Sequence, residues 1–116
     1  MAKDLRELRD TLRQFAVERD WDQYHSPKNL AAALVVEAAE LLEHFKWMPE
    51  GQSQILNDDK KQEVAHEMAD VLLYLVQLSD KLGIDLLNAA RMKILVNAAK
   101  YPVKHARAVT QSYTEL

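Results

Sequence analysis

Apolar residues return at helical intervals along almost the whole chain. Leu5, Leu8, Leu12, Phe15 and Ala16 fall three or four apart, which predicts a first helix over residues 3–19. A polar, aromatic connector follows, Asp20-Trp21-Asp22-Gln23-Tyr24-His25. Ser26 before Pro27 then reads as an N-cap with proline at the first helical position. The pattern carries this second helix to about Trp47, ahead of Met48-Pro49-Glu50-Gly51. Asn57, Asp58 and Asp59 offer caps for a third helix, which continues to about Leu82 and stops at Gly83. Asp85 can cap a fourth, from Leu86 to about Lys100, closed by Tyr101-Pro102. A basic, polar tail over residues 103–116 has room for a short helical turn. No internal repeat, low-complexity tract or long linker interrupts the chain. The expectation is one all-α domain over residues 1–116, four helices joined by short loops and packed antiparallel as a four-helix bundle.

The third helix changes that picture. Val64, Ala65, Met68, Ala69, Val71, Leu72, Leu73, Leu75, Val76 and Leu78 leave little of its circumference polar. A helix apolar on nearly all sides wants neighbours all round, and 116 residues supply few. Some of those neighbours are expected from another subunit. Composition narrows the function. Apolar residues are 48% and charged residues 28% of the chain, as in ordinary folded proteins, and two glycines and three prolines are too few for a β-sandwich. With no cysteine there is no disulfide, zinc–thiolate site or thiol nucleophile. A net charge of −3 argues against a nucleic-acid partner. No apolar run is long enough for a membrane span, and the first ten residues are charged rather than signal-like, so a cytoplasmic location is expected.

Four acids sit where acids should not. With Glu37 at zero on a helical wheel, Leu30, Leu41 and Leu34 fall at about 20°, 40° and 60°. Glu37 therefore lies inside the apolar stripe, and Glu40 lies at its edge. The third helix repeats the anomaly. With Glu67 at zero, Tyr74, Leu78, Val71 and Val64 fall at about −20°, 20°, 40° and 60°, and Asp70 flanks Glu67 as Glu40 flanks Glu37. Glu63, about 40° from Glu67, is close enough on the wheel to join them.

Burying an unpaired carboxylate costs several kcal/mol or raises its pKa until it is neutral, so about four facing one another need an answer. A hard divalent cation is one, because Mg²⁺ and Mn²⁺ take oxygen ligands. Mg²⁺ keeps water and shares it with substrate phosphates, so such a cluster reads as a phosphate-handling metal site. The alternative is a Lys or Arg partner for each pair, but basic residues are scarce on both stripes. A ferritin-like di-iron centre needs two Glu-x-x-His spacings, and the chain has one, Glu63-Val-Ala-His66.

Glu37-Ala-Ala-Glu40 followed by Glu67-Met-Ala-Asp70 resembles the Glu-x-x-Glu…Glu-x-x-Asp motif of the MazG-like all-α nucleoside triphosphate pyrophosphatases. The surroundings are similar to the dCTP pyrophosphatase branch: Phe15-Ala-Val-Glu-Arg-Asp-Trp21, His25-Ser-Pro-Lys-Asn-Leu30, Phe45-Lys-Trp47, the run from Glu67 to Val76, Lys100-Tyr-Pro102 and Tyr113-Thr-Glu-Leu116. Compact bacterial house-cleaning enzymes of the superfamily fit equally well. The resemblance implies hydrolysis of a dNTP, with dCTP or a modified dNTP favoured, to the monophosphate and pyrophosphate. It implies Mg²⁺ held by Glu37, Glu40, Glu67 and Asp70, with Mn²⁺ a substitute, and a homotetramer built as a dimer of dimers with sites between subunits.

Substrate contacts are expected from Trp21 and Trp47 at helix ends, where a base can stack, from Tyr74 on the acidic face, and from Asn29 at the start of the second helix. Packing alone would also account for both tryptophans and Tyr74. Lys93, Asn97 and Tyr101 resemble the Lys-x-x-x-Asn…Tyr-Pro run of relatives, where phosphate and sugar contacts are implied; a solvated surface cation is the other account of Lys93. The chain departs from the dCTP branch at Leu12, where relatives tend to have His, at Val36, where they have Gly, and at Ala98 and Ala99, where they are Arg-rich. These departures bear on base preference and leave the metal motif intact. Two other functions remain open: a non-catalytic helical interaction module, and a pyrophosphohydrolase for another nucleotide such as phosphoribosyl-ATP.

Overall fold

A computed structural model describes residues 4–103, and the predicted tail turn lies outside them. Among the described residues the chain is helical, with no strand. The long helices are α1 (Leu5–Glu18), α2 (Pro27–Glu43), α4 (Asp58–Lys81) and α5 (Leu86–Lys100); α3 (Glu50–Ser53) is a single turn, and a 3₁₀ turn spans Asp22–Tyr24. The caps foreseen from sequence form. Ser26 Oγ, Asn57 Oδ1 and Asp85 Oδ1 accept from the backbone N–H groups of Asn29, Lys60 and Asn88 at 3.1, 2.8 and 3.0 Å. Asp4 does the same for α1, accepting from Arg6 and Glu7. Each satisfies a donor that a helix start otherwise leaves orphaned.

Two expectations need correction. The second helix ends at Glu43, not near Trp47. Phe45 and Met48 instead donate to carbonyls three residues back, Leu42 and Phe45, both at 2.9 Å. Pro49 excludes helical backbone from the residue before it, so the segment tightens into turns and restarts as α3, an element the pattern did not reveal. The first helix also closes one residue sooner than expected, at Glu18. There Asp20 adopts φ 54°, and the Trp21 N–H reaches back to the Ala16 carbonyl at 2.9 Å. Gly83, at φ 67°, closes α4 in the same way, with Ile84 N–H on the Ser79 carbonyl at 2.8 Å.

The chain forms two compact units, residues 1–84 and 85–116. In the first, α4 packs along α2 and, less extensively, against α1. Its core is small: Ala16, Leu30, Val64 and Val76, with Ser79 hydrogen-bonded to the Val76 carbonyl. Ion pairs reinforce the helix contacts. Arg13 grips Asp80 through two hydrogen bonds, one of 2.8 Å, and holds that carboxyl below the usual range; Lys81 pairs with Asp22. Large apolar side chains stay exposed, including Val35 and Val36 on α2 and Met68 and Leu72 on α4. The second unit contains α5, where Leu87, Met92, Ile94, Leu95 and Val96 are exposed.

Leu30 is 1% exposed, the most completely buried large side chain. Leu30→Ala removes its methyl groups and leaves a cavity in the core, so a loss of about 2–5 kcal/mol is expected. The check is a lower midpoint of chemical unfolding with an unchanged slope.

Candidate active site

Helices α2 and α4 set two acids against each other. One oxygen each of Glu37, Glu67 and Asp70 lies within 4.8 Å of the others. The Oε2 atoms of Glu37 and Glu67 are buried and have no hydrogen-bond partner. Burial, then hydrogen bonds to Glu67 and Glu40, push the Glu37 carboxyl up to about 7, far above an ordinary glutamate. The helix wheel thus placed Glu37 and Glu67 correctly. Glu40 is more exposed and acts on Glu37 from one turn along the same helix.

Glu63 does not join the acids. Its carboxylate is turned to Lys60 at 3.6 Å and to His44 Nδ1 at 3.9 Å, while Lys60 Nζ donates to His44 Nδ1 at 2.9 Å. This flanking group joins the end of α2 to the start of α4, and only the register between the helices reveals it. Glu43 pairs with Lys46 at 3.0 Å, and His66 with Gln62 at 2.8 Å.

The other predicted contacts divide. Tyr74 is half-buried on α4. Trp21 is 47% exposed and meets Phe15 edge to face at 5.7 Å; Trp47 is 86% exposed, with the Lys46 ammonium 5.2 Å from its ring. Neither tryptophan is a core lid. Asn29 donates its side-chain N–H to the Tyr24 carbonyl at 2.9 Å, which ties the connector to the start of α2. Lys93 and Asn97 are exposed on α5 and Tyr101 is half-buried just beyond it, all three in the second unit.

An oxygen-only donor set with two orphaned buried carboxyl oxygens fits a hard divalent cation. The MazG-like family model matches residues 32–116. The chain belongs to the MazG-like family. It is 40% identical over 114 residues to dCTP pyrophosphatase 1 of Homo sapiens, covering 97% of this chain and 67% of that protein. It is 38% identical, with the same coverage, to dCTP pyrophosphatase 1 of Mus musculus. A crystal structure of a pyrophosphatase from Archaeoglobus fulgidus superposes with a TM-score of 0.80 at 41% identity, covering 88% of this chain and 95% of that one.

The raised Glu37 pKa dictates a pH dependence. Between about 4.5 and 7 the folded, metal-free chain keeps a proton that the unfolded chain has released. Its stability is therefore greatest at low pH and falls as pH rises through about 7. Thermal melts in EDTA should show a Tm decline between pH 5 and 8 that Glu37→Gln removes. At pH 8 a saturating divalent cation should restore several degrees, since about a hundredfold excess over Kd contributes about 2.7 kcal/mol.

Proposed function

We propose that this enzyme, a nucleoside triphosphate pyrophosphatase, hydrolyses dNTPs to dNMP and pyrophosphate with Mg²⁺, favouring dCTP or a modified form of it, as a cytoplasmic guardian of the nucleotide pool. The observation that carries the reading is the close set of Glu37, Glu67 and Asp70, with one buried, unpartnered carboxyl oxygen each on Glu37 and Glu67. Water adds at the α-phosphorus, the α–β anhydride bond breaks, and pyrophosphate leaves. Glu37, Glu67 and Asp70 hold the cation, with Glu40 completing the set from the open side. Bound there, Mg²⁺ supplies charge neutralisation on the phosphate oxygens and acidifies a coordinated water. The half-buried position of Glu37 and Glu67 limits water around the reacting phosphate, which strengthens every charge interaction inside.

Exposed Trp21 and Trp47 offer faces for a base, and Tyr74 extends the acidic stripe toward the sugar. In this reading Asn29 fixes the approach of the connector while Lys93, Asn97 and Tyr101 serve phosphate and sugar. The whole chain acts as one domain within a homotetramer, a dimer of dimers. The apolar side chains left exposed on α2, α4 and α5 support that assembly.

Pyrophosphate release from a panel of dNTPs, NTPs and 5-modified dCTPs, with Mg²⁺ or EDTA, tests the reading. Mg²⁺-dependent release with the monophosphate as co-product is expected, with dCTP-type substrates leading. Glu40→Gln should keep its fold and lose roughly a hundredfold or more in turnover. A folded wild-type protein that releases nothing from any triphosphate defeats the proposal.

A further inference from the structure

The seam between α2 and α4 carries a second polar layer beyond the acids. His44 is seven residues past Glu37 on α2, and Lys60 is seven residues before Glu67 on α4. Seven residues return a helix to within about 20° of the same face, about 10 Å along the axis. His44 and Lys60 therefore meet across the seam two turns away from Glu37 and Glu67. The Lys60 ammonium has only donors, so His44 Nδ1 accepts from it at 2.9 Å. The imidazole side chain is 19% exposed, and it anchors a flexible lysine to the end of the neighbouring helix.

Glu63 stands between the two layers. It is four residues before Glu67 and three after Lys60, and helix neighbours at these spacings have Cβ atoms about 5–6 Å apart. Its carboxylate is thus within side-chain reach of both. On the wheel it lies about 40° from Glu67, on the acidic side of α4. It is nevertheless outside the set of oxygens that Glu37, Glu67 and Asp70 bring together. It is turned the other way, 3.6 Å from the Lys60 ammonium and 3.9 Å from His44 Nδ1. An exposed carboxylate gains little from a single pair with a mobile lysine. Here the lysine is fixed by His44, so Glu63 has a placed counter-charge on the side away from the acids.

That choice bears on which ion the acids suit. Mg²⁺ keeps several waters and uses few protein carboxylates, whereas Ca²⁺ takes about six to eight oxygens and binds more tightly as carboxylates are added. A further carboxylate beside Glu37, Glu40, Glu67 and Asp70 fills positions that water and substrate phosphate need. Resting on the cation binding proposed above, the geometry points to Lys60 as a specificity-determining residue. Anchored on His44, it withholds Glu63 from the cation, which keeps ligand positions open and favours Mg²⁺ over Ca²⁺.

Calorimetric titration of the full chain with Mg²⁺ and with Ca²⁺, without nucleotide, tests this and needs no turnover. Loss of the Lys60 charge strengthens the attraction of both ions alike, so the Ca²⁺:Mg²⁺ affinity ratio isolates the added ligand. Lys60→Met should raise that ratio about tenfold, and adding Glu63→Gln to the same chain should return it to the wild-type value. Glu63→Gln alone should leave the ratio unchanged. In pyrophosphate release with Mg²⁺, Lys60→Met should be inhibited by about tenfold less Ca²⁺ than wild type. A folded Lys60→Met protein with the wild-type ratio overturns the inference, as does a rise that persists after Glu63→Gln. A ratio that falls with Glu63→Gln alone overturns it whether or not Lys60→Met folds, because Glu63 is then a ligand beside an intact Lys60. Binding of neither ion by wild type defeats it together with the cation reading. A Glu63-dependent ratio in a protein that cleaves no triphosphate sustains the inference and defeats the reaction.

Discussion

One carboxyl oxygen of Glu37 on α2 and one of Glu67 on α4 are buried without a hydrogen-bond partner. Everything else about the site follows from that conflict. The helix pair that builds the core is the same pair that carries the acids, so the packing that buries Leu30, Val64 and Val76 also forces Glu37 against Glu67. Without a cation the conflict is relieved by a proton, which is why the Glu37 carboxyl is pushed up to about 7. A cation and that proton compete for the same oxygens. Under the proposed metal binding, a divalent ion displaces that proton near neutral pH, and the strain within the metal-free fold becomes affinity for the metal.

The helices and their caps were legible because they rest on local chemistry. Ser26, Asn57 and Asp85 each need only the next three residues to act as caps, and each does. The faces of Glu37 and Glu67 were legible too, since a wheel needs only the residues of one helix. What failed depended on more than one helix or on turn geometry. Glu63 was grouped with the acids by its angle, but its partners, Lys60 and His44, meet it through the register of α2 against α4. The end of α2 was placed too late because Phe45 and Trp47 keep the apolar count high while Pro49 unwinds the backbone before it. Asp20 in a left-handed conformation, which sets Trp21 beside Phe15, carries no sequence signal as strong as the glycine that closes α4.

Membership of the MazG-like family agrees with the reading of the acids, yet it does not replace it. The motif names four carboxylates; the geometry distinguishes them. Three bring oxygens within 4.8 Å, and Glu40 acts from the open side. The residues of α5 stand differently again. Their chemistry suits phosphates, but they belong to the second unit, and their place at the site is carried by the proposal alone. The exposed apolar side chains along α5 demand a covering surface on general grounds, because a patch of that kind in water favours association.

Helix α4 has a second consequence. It runs unbroken over Asp58–Lys81, with Glu67 and Asp70 on its middle turns. A single uninterrupted helix fixes the rise between Glu67 and Asp70 at about 4.5 Å, independent of any loop. Trp47, by contrast, sits 86% exposed in the turns after α2, where the backbone has no such constraint. In the proposed function, stacking on Trp47 therefore adapts to different rings, whereas the spacing of Glu67 and Asp70 on α4 stays fixed. Under that reading, tolerance toward the base and strictness toward the phosphate are divided between a turn segment and a rigid helix.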